Sequence, residues 1–352
     1  MSTMDRAACN RPRYDPRCTT GHYESWFQRA NHTSRRLAFW IRYTIFHPCG
    51  AAGSHGAAPA DRAAHKRPVG ELWAIFFDAE RERIVTVREE LPIADCSFAG
   101  DPLSIRIGEA TLGTSSLAGR ARSSMHDVAW SLSYESPAPP LLLLPARLYE
   151  GGFPRAKALV GSPNAIFRGE LRVDGETIAI DDWRGSQNHN WGSRHTDSYA
   201  WGQVAGFDNA PDVFLECATG QLRIGPIWTP RMSFVVLRIG TEELALNSLG
   251  QAFSARARCE GFDWTIRSRS GRTSVEVHVH APRSAFASLT YGDPPGGTKT
   301  CLNTKLASCE VVVERPGEQA LRFFTPDRAA FEILTDRGDH GIAIGIDGSG
   351  AK

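Results

Sequence analysis

The densest concentration of chemically capable side chains lies between Asp181 and Gln203, in the run Asp-Asp-Trp-Arg-Gly-Ser-Gln-Asn-His-Asn-Trp-Gly-Ser-Arg-His-Thr-Asp-Ser-Tyr-Ala-Trp-Gly-Gln. Trp183, Trp191 and Trp201 supply large apolar faces, while Gln187, Asn188, His189, Asn190, Tyr199 and Gln203 supply directional donors and acceptors. That mixture suits a pocket for an apolar small molecule. The same residues have a second reading. The tryptophans plug a domain junction, and the amides and imidazoles satisfy backbone groups in a turn-rich passage.

Acid chemistry needs a proton donor. Candidate carboxyls are Asp182, Asp197, Asp208, Glu216 and, from the start of the chain, Glu24. Enclosed by apolar walls, a carboxyl is raised in pKa and stays protonated near neutrality. The ring faces of Trp26, Trp191 or Trp201 are suited to stabilising a carbocation formed by such an acid.

The elements that hold these groups read as short strands: Leu37 to Phe46, Glu71 to Phe77, Ile84 to Val87, Val128 to Tyr134, Ile166 to Val173, Val213 to Ala218, Phe234 to Ile239 and Val275 to Val279. Turn formers such as Asp174-Gly175 punctuate them, and few windows show helical spacing, which predicts barrels or sandwiches. Trp26 and Gln28 can be laid over Trp201 and Gln203, as expected if each copy opens a β-domain. The predicted organisation is a loosely held tail over 1–20, a first domain over 21–195 and a second over 196–340. Ala51 to Pro68, rich in Ala, Gly and Pro, reads as a long loop. Ser136 to Pro145, with four prolines and a leucine run, reads as a packed connector or a hydrophobic lid.

His189-Asn190-Trp191-Gly192, followed by Tyr199-Ala200-Trp201-Gly202-Gln203, resembles the superfamily of carotenoid 1,2-hydratase (hydroxyneurosporene synthase), the AttH-like proteins and, more distantly, tocopherol cyclase. Tyr23-Glu24-Ser25-Trp26-Phe27 is similar to that superfamily's aromatic opening. The resemblance implies an all-β chain of two tandem lipocalin-like (calycin) barrels, covering about residues 21 to 335, and cofactor-free chemistry on an isoprenoid or polyene. The cluster's own mixture of apolar faces and polar groups gives the expected ligand contacts as Trp26, Gln187, Asn188, His189, Asn190, Trp191, Tyr199, Trp201 and Gln203. One departure bears on mechanism: Asn188 stands where the hydratase pattern has a carboxylate, and Asn188 cannot be the acid. A hydratase, cyclase or isomerase thus stands beside a non-catalytic carrier or stress-related binding protein.

Other features read blandly. Glu276, His278 and His280 share a strand face, but the intervening valines claim the core and no third imidazole follows at a ligand spacing, so no metal is expected. Cys301 has no identifiable base, and the Gly292 to Gly297 loop lacks the ending of a phosphate-binding loop. Cys217 sits in an apolar run, as a buried thiol does. No cofactor is implied.

The 352 residues carry a net charge of +1, which gives no general attraction to nucleic acid. No apolar run approaches a membrane span. Residues 1–70 hold eleven Lys or Arg against four acidic residues, which leaves weak contact with an anionic membrane surface as a minority reading. A cytoplasmic protein that binds a hydrophobic small molecule is the expectation.

Overall fold

Strands of two kinds build the protein. Leu103–Ile107 and Asp127–Glu135 alternate buried and exposed residues, the pattern of a strand with one face on a core and one in water. Leu37–His47 and Val69–Asp78 are instead buried on both faces. Such strands need a second packed layer, and the other half of the chain supplies it.

The computed structural model describes residues 5–50, 67–336 and 340–343; most of the predicted Ala51 to Pro68 loop lies outside the described residues. The fold is nearly all β. In the first sheet His22–Asn31 pairs on one side with Leu37–His47, followed by Val69–Asp78 and Arg83–Pro92. On its other side it pairs with Glu176–Gly192, followed by Ala156–Val173, Asp127–Glu135 and the shorter strands back to Cys96–Gly100. The first strand thus bonds to the last, as in a barrel, and the seam falls between Arg83–Pro92 and Cys96–Gly100. The second sheet repeats this order. Ser198–Phe207 lies between Ala210–Gln221 and Leu321–Thr335, and the seam between Glu242–Leu246 and Arg256–Glu260 carries the helix Leu249–Ser254. A capping box of Ser248 and Gln251 starts that helix.

Each sheet encloses its own core. Trp26, Phe39, Ile41, Tyr43, Trp130 and Phe167 fill the first. Val204, Leu215, Cys217, Trp264, Val277 and Phe331 fill the second. A third cluster lies between the halves, with Phe27, Trp40 and Trp73 meeting Trp201, Leu289 and Tyr291.

Three expectations need correction. Residues 5–20 are not a loose tail. The short helix Arg6–Asn10 packs on the first barrel, where Trp26 Nε1–H donates to the Asn10 carbonyl and the Asn10 and Gln187 side chains exchange hydrogen bonds. Second, Glu176–Gly192 is one long strand rather than a turn-rich passage: Ser186 and Asn188 bond across the junction to Gln203, and Gln187 and His189 bond to the N-terminal segment. Third, Trp26 and Trp201 lie on corresponding first strands but not at equivalent positions: Trp26 points into its barrel and Trp201 points out, towards the other half. The leucine run is a packed connector. Leu141 pairs with Val160 and packs on Ala205, Phe214 and Val236 of the second half.

Candidate functional site

Between the barrels lies a cavity of about 220 Å³. The first half contributes the outward side chains of its opening strands, Tyr23, Phe27, Trp40 and Arg42, and the second contributes Tyr199, Trp201, Glu216 and Ala218. Leu143, Leu144 and Leu148 of the connector, with the exposed Phe153 at the rim, complete an apolar wall. Strand alternation explains the sorting: odd residues of His22–Asn31 and even residues of Leu37–His47 face the junction, and their neighbours face the first core.

Gln203 organises one wall. Its side-chain oxygen accepts from Arg29 Nε (2.8 Å) and Ser186 Oγ (2.6 Å), and its nitrogen donates to Asn188 Oδ1 and Glu216 Oε2 (both 2.8 Å). All four bonding positions of the amide are used, which fixes its orientation. Glu216, 2% exposed, also accepts from Trp201 Nε1–H at 2.7 Å. Burial pushes the Glu216 carboxyl up to about 7, against the bonds from Trp201 and Gln203 and the charge of Arg29, which favour the ionised form. Each carboxyl oxygen already accepts one bond, so an acid proton must occupy a remaining lone-pair direction.

His189 ties the strand to the N-terminal segment. Its Nδ1 lies 2.8 Å from the Cys9 carbonyl, which can only accept, so Nδ1 carries a proton. Its Nε2 lies 2.8 Å from Glu24 Oε1, and Glu24 also accepts from the Arg13 backbone N–H and contacts His22 at 3.1 Å. Burial alone would raise Glu24, but the bonds to His189 and His22 outweigh it and hold the carboxyl below its ordinary range. Trp26 stacks on His189 at 4.8 Å.

Of the ligand residues expected from sequence, Asn188, His189, Asn190, Tyr199 and Trp201 border the cavity. Trp26, Gln187, Trp191 and Gln203 do not: the first two face the first core and its N-terminal cover, Trp191 packs on Cys9, and Gln203 stands behind Glu216. Among the candidate acids, only Glu216 lines the cavity. Asp182, its side chain 65% exposed, pairs with Arg168, and Asp208 pairs with Arg328 on the surface. Asp197 is held by Arg194 and the Arg223 backbone N–H. These carboxyls are ruled out as donors to this cavity by position, and Glu24 by its place behind His189.

Sequence reasoning missed Trp40, Arg42, Tyr291, Glu332 and the role of His195. Arg42 left a signal, a charge inside the apolar run Leu37 to Phe46. His195 stacks on Tyr23 at 4.0 Å, and burial, reinforced by Arg42, lowers it to about 3, so it lines the cavity as neutral imidazole. His278 and His280 both turn to Asp263, at 2.9 and 3.5 Å, on a half-exposed face. No group of three or more potential ligands among the described residues is placed to hold a metal ion. No helix among them is long and apolar enough to cross a membrane.

No family model matches the chain. An uncharacterized protein of Mycobacterium tuberculosis H37Rv is 26% identical over 302 residues, covering 84% of this chain and 82% of its own length. Three solved structures are similar in fold. The protein described as an AttH from Nitrosomonas europaea has a TM-score of 0.52 at 12% identity, over 90% of this chain and 91% of its own. Kievitone hydratase from Nectria haematococca gives 0.58 at 12%, over 95% and 94%. CghA with Sch210972 gives 0.54 at 10%, over 90% and 89%. The order of strands, the barrel connectivity of both sheets and these likenesses agree: the chain has the tandem lipocalin-like fold of the AttH and hydratase-type proteins.

Proposed function

We propose that the protein binds a hydrophobic, isoprenoid- or lipid-like molecule between its barrels and transforms it by cofactor-free, acid-assisted chemistry with Glu216 as proton donor. The observation that carries this reading is a buried carboxyl, raised to about 7, on the wall of an apolar cavity. The Glu216 proton passes to one carbon of a substrate double bond, leaving a carboxylate and placing the positive charge on the adjacent carbon. The faces of Trp201 and Trp40 border the space where that charge develops. A water oxygen then bonds to the cation and returns a proton to Glu216, which is hydration. Loss of a neighbouring proton to the same carboxylate is isomerisation, and attack by a second double bond of the substrate, followed by loss of a proton from the new cation to that carboxylate, is cyclisation. Asn188, bonded to Gln203, sits one amide away from Glu216, so a carboxyl missing at position 188 is supplied from the other barrel. The likeness to a protein named as a hydratase supports this class.

A carrier is the second reading. The bonds from Trp201 and Gln203 also give Glu216 a structural reason to be where it is. The test is mass spectrometry of lipid that co-purifies with the protein, followed by incubation of that lipid with fresh protein in D2O. Uptake of a non-exchangeable deuteron that disappears in Glu216→Gln is expected. Bound lipid that never changes supports the carrier, and absence of any bound lipid overturns both readings.

A further inference from the structure

Arg42 is a buried cation that the fold leaves without a partner. The residue is 5% exposed on the strand Leu37–His47, and among the described residues it makes no hydrogen bond and no ion pair. Its guanidinium lies 4.6 Å from the centre of the Tyr291 ring and 5.9 Å from that of Trp40, contacts with π faces that satisfy none of its N–H groups. The two nearby carboxylates are already engaged. Glu71 accepts from Arg88 at 2.6 Å and Trp73 at 2.9 Å, and Glu332 accepts from Lys305 at 2.8 Å and Asn303 at 3.1 Å. Burial disfavours the charge, but Tyr291, Glu71 and Glu332 outweigh it and hold Arg42 in its charged form; none of them accepts a hydrogen bond from it, and buried N–H groups without acceptors are costly.

A group completing it can reach it from the cavity, which Arg42 lines. Around it the cavity is polar on one side, with Tyr291, Tyr23 and the neutral His195, and apolar towards Leu143, Leu148 and Phe234. The Tyr291 ring covers one face of the guanidinium, and its hydroxyl is enclosed beside the Cys301 thiol. A guanidinium with free donors matches a planar two-oxygen anion.

We propose that the ligand is an amphipathic acid whose carboxylate pairs with Arg42, while its apolar skeleton lies along the leucine connector. This rests on the reading of the cavity as a ligand site and adds the chemical class of the ligand. The probes are 11-(dansylamino)undecanoic acid and its methyl ester, titrated by fluorescence against the full chain. The acid is expected to bind about tenfold more tightly than the ester or better, as a charge-assisted bond provides. Arg42→Met should reduce acid affinity to that of the ester, Arg42→Lys should retain part of the preference, and Ala218→Trp, which fills the cavity, should abolish binding of both. Equal affinity for acid and ester overturns the proposal while leaving the cavity reading intact, as does a preference that survives Arg42→Met. Failure of both probes to bind, or binding unaffected by Ala218→Trp, overturns the cavity reading and the proposal with it. The acid and ester comparison uses the native protein, so it decides the matter even where an Arg42 variant does not fold.

Discussion

Replacing Glu216 with Gln should make the protein less stable in acid and more stable in alkali. The ordinary carboxyl value is 4.5, and in the folded chain burial pushes Glu216 up to about 7. Because the folded value is raised, the contribution of this group is fully present below pH 4.5 and is lost as pH rises through 7. One pKa unit corresponds to about 1.4 kcal/mol, so the loss due to this side chain alone amounts to about 3 kcal/mol at pH 8. An amide at this position cannot ionise. It presents an NH2 group to either Trp201 or Gln203, both of which donate, which costs roughly 1 to 2 kcal/mol at every pH. The wild type is therefore favoured near pH 5 and the variant near pH 8, and the gap shifts by about 2 to 3 kcal/mol over that interval. Urea titration of both proteins at several pH values measures it, since the background from other ionisable groups cancels in the difference. A difference that stays constant from pH 5 to 8 would refute the raised carboxyl and, with it, the acid in the proposed chemistry.

Trp201→Phe keeps an aromatic ring in the wall but removes the N–H that favours the ionised Glu216, so the pH-dependent loss of stability should become larger and continue to higher pH, again read by urea titration. Trp201→Ala should lower stability by about 3 kcal/mol and, separately, weaken binding of a hydrophobic fluorescent ligand; normal binding would remove Trp201 from the site. Glu24→Ala strips His189 Nε2 and the Arg13 N–H of their acceptor, so a loss of about 3 kcal/mol and faster proteolytic clipping before Gly21 are expected. Asp182→Asn should change stability by less than about 0.5 kcal/mol and leave ligand binding intact, because Asp182 is exposed and its φ of 54° is one that Asn tolerates.

Strand content was legible because alternation and turn chemistry are local signals. Every predicted run lies within an observed strand, and Asp174-Gly175 forms the tight turn between two of them, both residues having positive φ. What failed to show is whatever depends on a partner distant in sequence. Ser186, Gln187, Asn188 and His189 look like a loop because strands seldom bury four polar residues in a row, and here each meets a group from the other barrel or the N-terminal segment, while the half-buried Asn190 borders the cavity. The Trp-x-Gln repeat identified corresponding strands, yet a one-residue shift in register exchanges the two faces, and sequence carries no mark of which face is inward. The N-terminal segment reads as solvated because its arginines dominate its composition, while its anchorage depends on backbone carbonyls of Cys9 and Asn10, which composition cannot reveal.

The position of the cavity follows from how the barrels are filled. A lipocalin-like barrel is able to hold a ligand within its calyx, but here Trp26, Tyr43, Trp130 and Phe167 occupy one interior and Trp264, Phe286 and Phe331 the other. With both interiors packed, the remaining apolar surface is on the outward faces of Leu37–His47, Val69–Asp78 and Ser198–Phe207, which must be covered to remain out of water. Pressing two such faces together buries the Phe27, Trp40 and Trp201 rings, and wherever the convex sheets fail to meet they leave a space. The polar groups in that space come from both sides, Arg42 and Asn188 from one barrel and Glu216 and Tyr291 from the other, so the candidate site belongs to the junction. Neither half carries it alone, which gives a physical reason for two barrels to be joined in one chain.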